Sequence, residues 1–146
     1  MKIAIGSDHA GYPMKQRVKA ILEAMGADVI DFGTDSTDSV DYPDFGIRVA
    51  RAVASGEAER GVAVCMTGGG MTIVANKIRG IRAVLCLNRE MAFYARSHND
   101  ANVLTLSQKY VDDNKLGEII KTWLETGFEG GRHCRRLDKI AAVEGH

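Results

Sequence analysis

Short apolar runs rich in β-branched residues alternate five times with helix-length amphipathic segments, and this alternation restricts the fold more than any single motif. Lys2 to Ile5, Asp28 to Phe32, Gly61 to Cys65, Ile81 to Cys86 and Asn102 to Leu106 read as strands. Gly11 to Met25, Tyr42 to Ser55, Met71 to Ile78, Glu90 to Ser97, Asp112 to Thr126 and Arg132 to Val143 read as helices. Val18, Ile21, Leu22 and Met25 share one face of the first helix, and Leu116, Ile119, Ile120, Trp123 and Leu124 one face of the fifth. Pro43 suits the first turn of its helix. Such a chain predicts a parallel sheet covered by helices on both faces, in one domain over residues 1–146. Right-handed crossovers then bring all strand C-terminal ends to one edge, where open α/β sheets bind ligands. Ser7, Asp8 and His9, then Cys65 and Thr67, then Ser107 to Lys109 gather there.

Charge and composition narrow the partner. The 19 basic and 19 acidic residues balance, so no general affinity for a polyanion such as nucleic acid is expected. No apolar run approaches the roughly 18 residues of a membrane span. Asp8 arrives too early for the apolar core of a signal peptide, and Cys65, Cys86 and Cys134 lack zinc-ligand spacing. A reducing cytoplasm and a small-molecule ligand are the expectation.

The chemistry concentrates in GVAVCMTGGGMTIVANKIRGIR, Gly61 to Arg82. A buried strand ends at Cys65 and turns through Thr67 and three glycines into a helix. Such a turn leaves several N–H groups unpaired at one point, where the helix dipole adds partial positive charge. Anions are stabilised there, and so is the thiolate form of a neighbouring cysteine. A buried cysteine is otherwise a small hydrophobe, but packing alone seldom needs three consecutive glycines. No GxxxxGK[ST] is present, and no acid closes the following strand as a dinucleotide ribose would require. A phospho-receiver would need an aspartate where this chain has Cys65.

Three further clusters each have two readings. Asp8 can cap the following helix, contact a ligand, or do both. His98-Asn99-Asp100-Ala101-Asn102 is a turn-forming sequence that also offers a general base in His98. In Gly130-Gly131-Arg132-His133-Cys134-Arg135-Arg136, Arg132 and Arg136 stand one helical turn apart. That spacing suits two guanidinium groups on one phosphate, or a solvated ion-paired face.

Taken together, Gly6-Ser7-Asp8-His9-Ala10-Gly11, Asp41-Tyr42-Pro43, Cys65-x-Thr67-Gly68-x-Gly70-Met71, Ala75-Asn76-Lys77, Gly80-Ile81-Arg82, the His98 to Asn102 run and Gly130-Gly131-Arg132-His133 resemble the type B ribose-5-phosphate isomerase family. That family also holds galactose- and allose-6-phosphate isomerases. The resemblance implies a Rossmann-like three-layer α/β/α sandwich with a five-stranded parallel sheet in the order 2-1-3-5-4. It implies a homodimer or dimer of dimers with shared active sites, a C-terminal helix reaching the partner subunit, and neither metal nor organic cofactor. Carried over by residue, Cys65 resembles the base that moves a proton between C2 and C1, with Thr67 its polar neighbour. The N–H groups from Met66 through Gly68, Gly69 and Gly70 to Met71 resemble the hole for an enediolate. His98 resembles the ring opener, Asp8, Tyr42 and Asn99 the contacts to sugar hydroxyls, and His9, Arg132 and Arg136 the phosphate clamp.

Met66, Gly69, Thr72, Ser107 and Lys109 depart from the family's usual glycine, branched apolar residue, serine, glycine and arginine. Lys109 keeps the charge for phosphate but not the bidentate fork. The expected reaction is ribose 5-phosphate to ribulose 5-phosphate, with the same chemistry on allose 6-phosphate, galactose 6-phosphate or another aldose as the alternative.

Overall fold

The computed structural model describes residues 1–144. Five strands, β1 (Lys2–Ser7), β2 (Asp28–Asp31), β3 (Arg60–Cys65), β4 (Ala83–Leu85) and β5 (Val103–Ser107), form one wholly parallel sheet in the order β2-β1-β3-β5-β4. The helices are α1 (Tyr12–Ala24), α2 (Tyr42–Ala54), α3 (Gly69–Asn76), α4 (Arg89–Ser97), α5 (Asp113–Glu125) and α6 (Arg132–Glu144). Both the α/β alternation and the strand order implied by the family resemblance are observed. None of the described helices is long and apolar enough to cross a membrane.

Alternate residues of the central strands feed two different cores, as a sheet buried on both faces requires. Ile3, Ile5, Val62, Val64, Leu104 and Leu106 face α1, α4 and α5, where Met14, Leu22, Ala92, Ile120 and Trp123 meet them. Ala4 and Val103 face α2 and α3, against Val49, Ala50 and Ala75. Above these, Ala63, Cys65 and Met71 form a small cluster with Phe45 and Val74 packed against it. The third layer is therefore thin near the carboxyl edge.

Three expectations need correction. The stripe on α1 runs through Met14, Lys15, Val18 and Leu22, whereas Met25 is exposed, because the helix ends at Ala24 and the chain reverses at Gly26 (φ 87°). Lys15 tolerates burial because Asp31 accepts two hydrogen bonds from its Nζ, at 2.7 and 2.8 Å. Strand β4 is half the predicted length. It is an edge strand, and the neighbouring backbone is tied elsewhere: the Asn76 amide donates to Ala83 O and accepts from Ala83 N, and Asn102 Oδ1 accepts from Arg82 N. Lastly, α3 starts at Gly69 rather than Met71, so two of the three glycines lie within its first turn.

The topology also fixes direction. Helix α4 leaves the carboxyl end of β4 and runs back, so its C-cap His98 lies at the amino edge, beside the start of β5. At that edge Asn102 O accepts from Gly61 N, near the start of β3. Helix α6 follows from the same side and contributes one buried residue, His133.

Candidate active site

The carboxyl edge is built around the end of β3. Gly68 adopts φ 84° and caps α3, a left-handed conformation that a residue with a Cβ resists. A Cβ there would also sit 3.1 Å from Leu106 O. The turn places Gly69, Gly70 and Met71 at the first helical positions, whose N–H groups have no intrahelical acceptor. Gly69 N–H is used locally, donating to Thr67 Oγ1 at 3.2 Å. Gly70 lets Tyr42 approach: a Cβ at that position would meet the Tyr42 ring at 2.5 Å. Residues 28 positions apart thus converge because one of them has no side chain.

Asp8 and His9 arrive from β1. Asp8 N–H donates to Val64 O at 3.3 Å, which sets the residue beside the end of β3. Its Oδ1 accepts from Gly11 N at 2.8 Å, so the carboxylate closes the turn into α1. His9 Nδ1 accepts from Val40 N at 3.1 Å, which pins the loop ahead of Tyr42 and puts the ring proton on Nε2. From β5, Gln108 N donates to Cys65 O and Lys109 N to Met66 O, both at 3.0 Å. Lys109 Nζ rests 5.5 Å above the Tyr110 ring. Gln108, in the middle of the Ser107 to Lys109 run, accepts from Met14 N at 2.9 Å and locks α1 to this edge.

Cys65 is 5 % exposed, while Met66 beside it is 51 % exposed. The sulfur therefore lies at the floor of the edge, with Thr67 and the glycine turn at the rim. Cys86 marks the contrast with a purely structural thiol. It is fully buried in the opposite core, its Sγ donates to Val84 O, and burial pushes its pKa up to about 12.

His98, Asn99, Arg132 and Arg136 are not in this cluster. They occupy the amino edge, about one strand length, or roughly 17 Å, from Cys65. Much of the His98 to Asn102 run is architectural. Asp100 (φ 46°) pairs with Arg96 at 2.9 Å and Arg82 at 3.5 Å, and Asn102 clamps the Gly80–Arg82 turn. This scaffold leaves Asn99 exposed and His98 half-buried. The His98 ring stacks on His133, with centroids 4.3 Å apart and planes 20° apart. Glu129 lies 3.8 Å from His98 Nε2, 3.9 Å from His133 Nε2 and 3.6 Å from Arg132. Glu129, which no sequence motif includes, and His133, which a motif includes without a role, join this cluster through their convergence in space. Burial, then the charges of His98, Arg132 and Arg136, hold the His133 pKa below its usual range, with Glu129 opposing. The donor atoms of His98, Glu129 and His133 all lie within 4.8 Å of one another. Stacked rings nevertheless keep their in-plane lone pairs in near-parallel planes, a poor set for one tetrahedral ion.

A Rossmann-like sheet carrying a thiol beside a glycine nest at its carboxyl edge, with a cationic helix start at the other, defines a class built to handle a small anionic substrate. The chain belongs to the Ribose/Galactose Isomerase family, whose pattern matches residues 3–140. It is 44 % identical over 143 residues to ribose-5-phosphate isomerase B of Escherichia coli, covering 98 % of this chain and 96 % of that one. The structure of Clostridium thermocellum ribose-5-phosphate isomerase B superposes with a TM-score of 0.98 at 51 % identity, over 99 % and 98 % of the two chains. Ribose-5-phosphate isomerase B of Mycoplasma genitalium with bound ribulose-5-phosphate superposes with a TM-score of 0.94 at 39 % identity, over 99 % and 97 %.

Proposed function

We propose that this chain interconverts ribose 5-phosphate and ribulose 5-phosphate through an enediolate, at sites each assembled from two copies of the chain. The observation that carries the reading is the position of Cys65 and Thr67 at the glycine nest, in a chain of the Ribose/Galactose Isomerase family that is 44 % identical to a ribose-5-phosphate isomerase B. In the open-chain aldose, the Cys65 thiolate removes the proton from C2. The C–H electrons form the C1–C2 double bond, and the carbonyl electrons move onto O1. N–H groups of the nest, Gly70 and Met71 among them, stabilise that oxyanion, an effect typically worth a few kcal/mol. Thr67 assists transfer of the hydroxyl proton from O2 to O1. The Cys65 thiol then returns its proton to C1, leaving a ketone at C2 and the thiolate restored.

His98 opens the furanose ring before this step. Asp8, Tyr42 and Asn99 hold sugar hydroxyls, and His9, Lys109, Arg132 and Arg136 hold the phosphate, whose remote binding aligns the reacting carbons. One chain keeps Cys65 and His98 at opposite edges of the sheet, which supports a homodimer, alone or paired into a dimer of dimers, in which each supplies what the other lacks. Helix α6 then reaches the partner. Its Ile140 and Val143 are 54 % and 73 % exposed, an apolar face with little of its own chain to cover it. Residues 1–146 act as one domain, and the three free cysteines suit the cytoplasm.

A second reading, the same reaction on a different sugar such as allose 6-phosphate, is favoured by the exposed Met66 next to Cys65 and by Lys109. Purified protein assayed against pentose phosphates, hexose phosphates and free aldoses separates the two. Highest kcat/KM on ribose 5-phosphate is expected. Turnover of hexose phosphates or free aldoses alone would favour the second reading, and no turnover of any aldose, phosphorylated or free, would remove both.

A further inference from the structure

Two hydroxyls on β5 reach under the glycine nest. Thr105 and Ser107 are two residues apart, so they point to the same face of the sheet, and both are fully buried. Ser107 Oγ donates to Met66 O at 2.9 Å and accepts from Tyr110 N at 2.9 Å. Thr105 Oγ1 bonds to Thr72 Oγ1, and Thr72 Oγ1 lies 2.8 Å from Gly68 O. The proton count orients the second chain. A carbonyl can only accept, so Thr72 spends its one hydroxyl proton on Gly68 O, and Thr105 must donate to Thr72. Gly68 O receives a further bond from Thr72 N at 3.1 Å.

We infer that Thr105 and Ser107 are positioning residues for the proposed isomerisation, setting the peptide planes of the anion nest from below. In a trans peptide the C=O and the following N–H point in opposite directions. Fixing Met66 O toward Ser107 turns Thr67 N–H away from it. Fixing Gly68 O along α3 turns Gly69 N–H outward to Thr67 Oγ1. The nest is thereby held in the orientation an enediolate needs before any substrate arrives, and none of its dipoles has to reorganise during the reaction. Neither hydroxyl touches substrate.

The inference rests on the functional reading above, and wild-type turnover of ribose 5-phosphate tests that reading first. Four variants, T105V, S107A, T72V and T72S, are then compared for kcat, KM and inhibition by two probes. One probe is a phosphorylated hydroxamate that copies the planar enediolate, and the other is inorganic phosphate. T105V, S107A and T72V are each expected to lower kcat roughly tenfold to a hundredfold and weaken the hydroxamate by the same factor. Inhibition by inorganic phosphate should stay within about twofold. T72S should recover most of what T72V loses, and T72V/T105V should be no worse than either single variant, because both cut one chain. Wild-type kcat and hydroxamate affinity in T105V and S107A would overturn the inference, as would parallel weakening of both probes, which indicates general loosening. Should T105V fail to fold by circular dichroism, T72V, whose side chain is half-buried, and S107A decide the matter by the same criteria.

Discussion

At the carboxyl edge of the sheet four side chains around Cys65 are bonded to backbone, Asp8 to Gly11, His9 to Val40, Ser107 to Met66 and Thr72 to Gly68, while buried Ser7 Oγ has no hydrogen-bond partner among the described residues. At the amino edge the groups around His98 are held loosely. Glu129 stands more than 3.5 Å from each of its three nitrogen-bearing neighbours, His98, Arg132 and His133, Arg132 is 57 % exposed along its side chain, and buried His133 Nε2 has no hydrogen-bond partner among the described residues. The contrast follows from the chemistry proposed for each end. Proton transfer beside an oxyanion needs dipoles fixed in advance, whereas a phosphate clamp can be completed by the ligand and the second copy. A preorganised half and an adaptable half, on opposite edges of one chain, fit the shared site proposed above.

The hardest test of that contrast is at Cys65. C65A is expected to lower kcat by about a thousandfold or more, with KM changed by less than about threefold, because it removes proton transfer and leaves the clamp. Wild-type-like rates would move the base elsewhere. Mixing C65A with H98A, refolded together, should then restore about a quarter of wild-type activity, since half of the random dimers carry one intact site of two. No recovery would break the idea that the two edges meet across an interface.

The rigid edge is probed by G68A. It places a Cβ at a left-handed position against the Leu106 carbonyl, and should cost about 2–4 kcal/mol of unfolding free energy as read by urea denaturation. A loss under 0.5 kcal/mol, as an approximate threshold for a surface substitution, would mean that the turn is not tightly constrained. The adaptable edge should respond differently. R136A is expected to raise KM about tenfold with little loss of thermal stability, because its side chain is exposed. An equal fall in melting temperature and activity would instead mark Arg136 as structural.

His133 gives the smallest expected effect. Its folded pKa lies below the unfolded value near 6.5, so the folded state binds protons less readily. The stability it contributes is complete above about pH 6.5 and is lost as pH falls from there toward the folded value. The melting temperature should therefore drop between pH 7.5 and 5.5, and H133Q should show a shallower drop. An unchanged pH slope in H133Q would assign the titration to other groups.

The alternation of β-branched runs with amphipathic segments was enough to determine the parallel α/β class, because a parallel strand needs a crossover helix and burial on both faces leaves a readable pattern. The glycine turn after Cys65 was legible for a similar reason: consecutive glycines advertise a backbone conformation locally. The order of the last two strands came from the family resemblance, since periodicity carries no information about lateral neighbours. What the sequence could not determine is which groups meet through space. Tyr42 lies on Gly70, Thr105 reaches Gly68 through Thr72, and His98 meets Glu129 and His133, each pairing residues far apart in the chain. Only the tertiary structure put Cys65 and His98 at opposite edges of the sheet, because direction along a strand becomes position in space once the crossovers are closed.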